Sequence, residues 1–181
     1  MRMPHRVRRR DVARGLRIVT GGQSGVDRAA LEVAVALGIP YGGWCPAGGW
    51  AEDLPGPPGV LALYPDLTPT VSTDPTARTL LNVREADAVL VIDVAGAASP
   101  GTDETRRCAI QEGRPLHHLP IDVERPLWLV GAARQVLVHA LREAEGAPPT
   151  LDFAGPRESE APGIQAAATS LLREILAPFA R

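Results

Sequence analysis

Short apolar runs and helix-period segments alternate along this chain. Leu16 to Thr20 (LRIVT) reads as a buried strand, followed by Gly21-Gly22-Gln23-Ser24-Gly25 and then VDRAALEVAVALG. In that segment Val26, Ala30, Leu31, Ala34 and Leu37 recur at helical spacing, and Gly38 ends the helix as a left-handed C′ residue would. Residues 39–43 read as a second strand. Pro46, Pro55, Pro57, Pro58, Pro65, Pro69 and Pro75 then punctuate residues 45–75, which predicts a long irregular excursion. A helix over 74–87 takes Asp74 as its cap and Pro75 as its first residue. AVLVID (88–93) is a continuous apolar run, as expected of a strand covered on both faces. A helix near 103–112, a strand over 115–121, a helix over 126–145, the strand TLDFAG and a last helix IQAAATSLLREIL complete the pattern. Strands that alternate with helices to the end predict an α/β fold with a mainly parallel sheet.

Length and composition fit that pattern. The chain has 181 residues, 45% of them apolar and only 4% aromatic, enough for one ordinary domain in which helices cover a sheet. All 19 basic side chains are arginine. Without lysine there is no Walker A phosphate loop and no Schiff-base chemistry, so a bound anion must be met by arginine, backbone N–H groups or a metal. Charge is uneven. Residues 1–17 hold seven arginines against Asp11, a formal +6 that leaves about −8 for the remainder of a chain whose net charge is −2. Residues 1–16 are therefore expected to be a basic, disordered extension and 17–181 one ligand-binding domain. Arg8, Arg9 and Arg10 are followed by no apolar export segment, and no stretch has the roughly 18 apolar residues of a membrane span. Cys45 and Cys108 form no C-x-x-C pair and suggest neither a disulfide framework nor a thiolate metal site, so a reducing cytoplasm is the expected setting. Neither a membrane nor a specific nucleic acid is an expected partner, and a homo-oligomer is left open.

Three strand-to-helix turns carry candidate chemistry. The first, Thr20 to Asp27 (TGGQSGVD), offers glycines for close approach and helix-start N–H groups that favour an anion by ~0.3–1 kcal/mol. Its spacing is not that of the dinucleotide fingerprint. In the second, Ser99 to Thr105 (SPGTDET), Thr102 can cap a helix or donate its hydroxyl to phosphate. In the third, Gly155 to Gly163 (GPRESEAPG), Arg157 offers a planar fork suited to phosphate, or a salt bridge to Glu158 or Glu160. A parallel sheet puts all three on its carboxyl edge, where ligands bind, and only the excursion after Trp44 is long enough to fold over them as a wall or lid.

The segments TGGQSGVDRAALEVAVALGIPYGGWCP, AED, RTLLNVREADAVLV, PGTDET and AGPRESEAPGI resemble the bacterial molybdenum carrier proteins. That family is a circularly permuted branch of the Rossmann-like nucleotide-binding proteins of the LOG or "lysine decarboxylase-like" group. The resemblance spans residues 17–179 and implies a Rossmann-like three-layer sandwich. It also implies ligand contacts from Gly21, Gly22, Gln23, Ser24, Gly25, Asp27, Arg28, Gly101, Thr102, Gly155, Arg157 and Ser159. The implied function is binding and protection of a phosphorylated, ring-containing ligand, with molybdenum cofactor (molybdopterin) or a nucleotide as the cofactor. Arg28 and Arg157 would hold the phosphate. The alternatives are a nucleotide N-glycosidic hydrolase of the LOG phosphoribohydrolase type, with Glu104, Asp103 or Glu158 as acid/base, and a sensor of a nucleotide-derived signal. A binding protein is favoured over an enzyme, because Thr105 stands where the hydrolase signature has its glutamate. Glu104 is one residue early, a rotation of ~100° on a helix. The basic residues common after GWCP are replaced by Ala47 and Gly49.

Other residues have weaker chemical readings. His117 and His118 are neighbours on a strand, so they point to opposite faces and cannot share a metal. Cys45 is a small buried residue or a soft molybdenum ligand. Glu52 and Asp53 could bind a hydrated Mg²⁺ beside phosphate, and Trp50 could stack on a pterin or base.

Overall fold

The computed structural model describes residues 15–181. Residues 1–14, and with them nearly all of the expected extension, lie outside the described residues. Leu16, placed at the end of that extension, is buried in the core.

Five strands form one parallel sheet: β1 (Arg17–Val19), β2 (Tyr41–Gly42), β5 (Ala88–Val94), β6 (Leu116–Ile121) and β7 (Thr150–Ala154), in the order β2-β1-β7-β5-β6. Side chains alternate across it. Leu90, Ile92, Leu151 and Phe153 pack under helices α1 (Val26–Leu37), α4 (Val130–Glu143) and α5 (Ile164–Leu176). Val89 and Val91 face α2 (Pro75–Glu85) and α3 (Pro100–Gln111), where they meet Val83, Cys108 and Ala109. The result is the three-layer, Rossmann-like α/β sandwich, and strands covered on both faces explain the unbroken apolar runs. Among the described residues no helix is long and apolar enough to cross a membrane.

The element boundaries move for local reasons. α2 starts as expected, with Asp74 accepting the Thr76 N–H at 2.9 Å. α3 starts three residues before the expected 103 because Ser99-Pro100 repeats that device, with Ser99 as cap and Pro100 at the first position. The cap is thus Ser99 and not Thr102. α4 starts at Val130 and not at 126, since the Asp122 carboxylate collects the N–H groups of Glu124 and Arg125 and holds the chain in tight turns up to Leu129. The excursion is packed rather than irregular. Its strands β3 (Trp44–Cys45) and β4 (Thr68–Pro69) pair in parallel, and Val60, Tyr64 and Leu67 bury against Cys45 and Leu31 of α1.

Candidate functional site

Strand order places the site. The connection after β1 leads through α1 to the β2 edge, while that after β5 leads through α3 to the β6 edge, so the chain leaves in opposite directions on either side of β7. Such a switch opens a crevice beyond the carboxyl ends of the strands. A pocket of about 290 Å³ lies there, lined by Gln23 and Asp27 after β1, by Ser99, Gly101 and Glu104 after β5, and by Gly155, Arg157 and Glu160 after β7. α2 closes the fourth side with Pro75, Thr76, Arg78 and Thr79.

The first turn is largely filled by the protein itself. Gly25 has φ +80°, and a Cβ there would lie 2.2 Å from the Pro156 carbonyl oxygen, so the first and third turns touch through this glycine. The Gly25 N–H donates to Gln165 Oε1 at 3.1 Å, the Val26 N–H to the Pro156 carbonyl at 3.2 Å, and the Ser24 N–H to Gln23 Oε1 at 3.0 Å. The anion at the helix start is the Asp27 carboxylate, which accepts from the N–H groups of Gln23 and Gly21 and from Arg78 Nη1 at 3.1 Å. Burial nevertheless pushes the Asp27 carboxyl up, against the pull of Arg78. Beneath them is Asp152 of β7, 3% exposed and on the α2 side of the sheet. Burial and the neighbouring Asp27 push its carboxyl up to about 8.

Arg78 is the site residue that the sequence reading missed. It sits on a helix that follows the excursion, away from any glycine turn. Its guanidinium lies against Gly21, where a Cβ would come within 1.6 Å of Nη1. Gly21 therefore acts as a seat for Arg78. A buried Asp27 was the available signal, since an interior carboxylate calls for a cation.

Arg28, expected to hold phosphate, faces away from the pocket. It is buried, donates to Asp53 at 3.0 and 3.2 Å and to the Gly22 carbonyl at 3.3 Å, and lies over the Tyr64 ring. Consecutive helix residues point about 100° apart. Asp27 thus turns to the crevice and Arg28 to the excursion, where it is a fastener. Glu52 is another. It accepts from the Ser24 hydroxyl, from the Ser159 N–H at 3.2 Å and from the Ser159 hydroxyl at 2.6 Å, tying the excursion to two turns. Burial raises the Glu52 carboxyl, and the bonds from Ser159 and Ser24 outweigh this and leave it below its ordinary value. The Mg²⁺ expected at Glu52 and Asp53 is not supported, because the two carboxylates turn to different partners. Among the described residues no three or more His, Cys, Asp and Glu side chains are arranged to hold a metal. Gly22, Ser24, Arg28, Thr102 and Ser159 are therefore structural neighbours of the pocket, while Gln23, Asp27, Gly101, Gly155 and Arg157 line it.

The second and third turns meet at Ser99. Its hydroxyl donates to Glu160 Oε2 at 2.7 Å and lies 2.6 Å from the Thr102 hydroxyl, so Thr102 is engaged internally. Arg157 Nε is 3.5 Å from Glu160 Oε1, which leaves the guanidinium on the pocket wall beside a carboxylate. Glu104 reaches the pocket despite its early position, whereas Thr105 is buried and donates to the Gly101 carbonyl. Hydrogen bonds from Arg107 hold the Glu104 carboxyl below its ordinary value, so it carries no proton to give at neutral pH. Asp103 pairs with Arg106 on the surface. Glu158 caps α5, accepting from Gly163 and Gln165 N–H groups at 2.5 and 3.0 Å. Neither stands on the pocket wall.

A second, apolar pocket of about 450 Å³ adjoins the first across Pro75, which lines both. Its walls are Ala47, Gly48, Trp50, Pro55, Pro57 and Thr73 of the excursion. Cys45 lies fully buried, and burial pushes its thiol up, away from the thiolate that a soft metal needs. His117 turns to Glu143 on α4 and His118 to Asp93, on opposite faces as their adjacency requires.

The model for the circularly permutated YpsA SLOG family matches residues 18–176. Among solved structures, the chain is similar to the protein named "Putative molybdenum carrier protein" from Syntrophus aciditrophicus. The two are 35% identical with a TM-score of 0.70, over 89% of this chain and 94% of that one. No curated protein matches.

Proposed function

From the chain's membership of the circularly permutated YpsA SLOG family, we propose that its crevice binds a phosphorylated, ring-containing ligand and holds it without transforming it. One observation carries this reading: a pocket bearing the charged side chains of Arg78 and Arg157 shares the Pro75 wall with an apolar pocket bearing Trp50. Two guanidinium groups suit a phosphate, and an indole among prolines suits a flat heterocycle. The two pockets together suit the two halves of a phosphorylated pterin or of a nucleotide. The Syntrophus relative is named a molybdenum carrier, and the cargo we propose on that basis is the pterin of molybdenum cofactor. In that case Arg78 and Arg157 would hold its phosphate and Trp50 would cover its ring, while the dithiolene and its metal supply the redox chemistry elsewhere.

A carrier needs no acid/base pair, and the wall carboxylate Glu104 is held ionised by Arg107. The test is to purify the protein, release its bound small molecules for mass spectrometry and assay turnover of nucleoside monophosphates in parallel. The expected outcome is a bound phosphorylated heterocycle and no ribose 5-phosphate. Release of ribose 5-phosphate, abolished in Glu104→Gln, would replace this reading with the hydrolase.

A further inference from the structure

We propose that Arg78 takes the ligand's phosphate in exchange for Asp27, its resident counter-anion, and that this exchange draws a proton into the buried Asp27–Asp152 carboxyl pair. The inference rests on the phosphate-pocket reading above and adds to it which group binds and what binding costs.

The geometry sets up the competition. Arg78 lines the pocket and meets Asp27 through Nη1 alone, and among the described residues its buried Nε has no hydrogen-bond partner. It rests on Gly21, so no side chain stands between it and the turn. Asp27 lines the same pocket, with its side chain 6% exposed. A phosphate entering here meets the guanidinium and the carboxylate together, and two anions held this close on one cation repel, so an ionised Asp27 works against the phosphate. Phosphate with two charges and several acceptor oxygens is the stronger partner for a guanidinium fork.

Losing Arg78 would leave Asp27 without a cation. The other charged groups around it are already committed. From α2, Glu85 pairs with Arg17. From α3, Glu104 pairs with Arg107. In the third turn Arg157 pairs with Glu160, and from α1 Arg28 pairs with Asp53. Asp152 of β7 is a second buried acid on the same side, and the Cys45 thiol of β3 is held neutral by burial. An interior carboxylate without a cation neutralises itself. The proton comes from solvent and goes to a carboxyl oxygen of the pair, and no bond to the ligand forms or breaks. Because ionised Asp27 competes with the ligand, binding weakens as pH rises, by at most tenfold per unit for one proton.

Calorimetric titration with sulfate tests this, since sulfate stays a dianion while phosphate does not. The full-length protein is titrated between about pH 6 and pH 8.5 in buffers that differ in ionisation heat, which counts the protons exchanged. The expected result is uptake approaching one proton per sulfate and an affinity that falls with pH. Asp27→Asn should bind sulfate with no proton uptake and at least tenfold tighter than wild type at the alkaline end. Arg78→Gln should lose at least tenfold. Sulfate bound with no proton exchange and no pH dependence would overturn the exchange and leave the pocket reading standing. Unchanged affinity in Arg78→Gln would overturn the role of Arg78. No sulfate binding by the wild type at any pH would overturn both readings. Should Asp27→Asn fail to fold, the wild-type proton count decides the matter alone.

Discussion

Asp152→Asn should make the protein less sensitive to alkali, and the size of the effect follows from where Asp152 lies. The residue is in the central strand, in register with Val19 and Val89 of its two neighbours, and is 3% exposed. Burial, with a smaller push from Asp27, raises its carboxyl from 3.8 to about 8. An acid with a raised folded-state value binds its proton more tightly in the folded chain than in the unfolded one. Its contribution to stability is therefore complete only below about pH 4 and is lost as pH climbs to about 8. Each unit within that window costs about 1.4 kcal/mol, so moving from pH 5 to pH 8 should cost the wild type about 4 kcal/mol on this group's account. Asparagine has the same shape and cannot ionise. Urea unfolding of both proteins across pH 5 to 8 should show their stabilities diverging by about that amount, in favour of the variant at the alkaline end. Stability curves that run parallel would refute a neutral, buried Asp152.

Other substitutions separate seats, fasteners and ligand contacts. Gly21→Ala drives a Cβ into Arg78 Nη1, which a flexible side chain can vacate, so the fold should survive while sulfate affinity falls at least tenfold by calorimetry. An unchanged affinity would mean that Gly21 is no seat. Arg28→Ala removes the buried partner of Asp53 and should cost up to about 3 kcal/mol in urea unfolding, since Asp53 is half-exposed, yet leave sulfate affinity within twofold. A large loss of sulfate affinity would restore Arg28 to the site. Trp50→Ala should weaken AMP by about fivefold to a hundredfold, the ~1–3 kcal/mol of base stacking, with sulfate unaffected. Equal AMP affinity in both proteins would take the ring out of the apolar pocket.

The turns and the helices behind them were legible in the sequence because glycine, proline and capping residues act locally. Gly38 ends α1, and Asp74-Pro75 starts α2. Ser99-Pro100 carries the same local signal at α3, three residues ahead of Thr102. Strand order was not legible. β7 enters the sheet between β1 and β5 although it is last in the chain, and an apolar run covered on both faces carries no mark of its neighbours. That insertion decides the site, because it brings the Arg157 turn between the other two and sets Asp152 beneath Arg78. The sequence also could not say which way adjacent side chains turn at the start of α1. Asp27 and Arg28 differ by one position, and the rotation between them separates the pocket's own anion from the bolt that holds the excursion. A phosphate site read from glycines and arginines alone assumes that the helix start is vacant. Here a buried carboxylate occupies it, so on the proposed exchange an anion held by Arg78 competes with Asp27, and the strength of binding depends on whether Asp27 finds a proton.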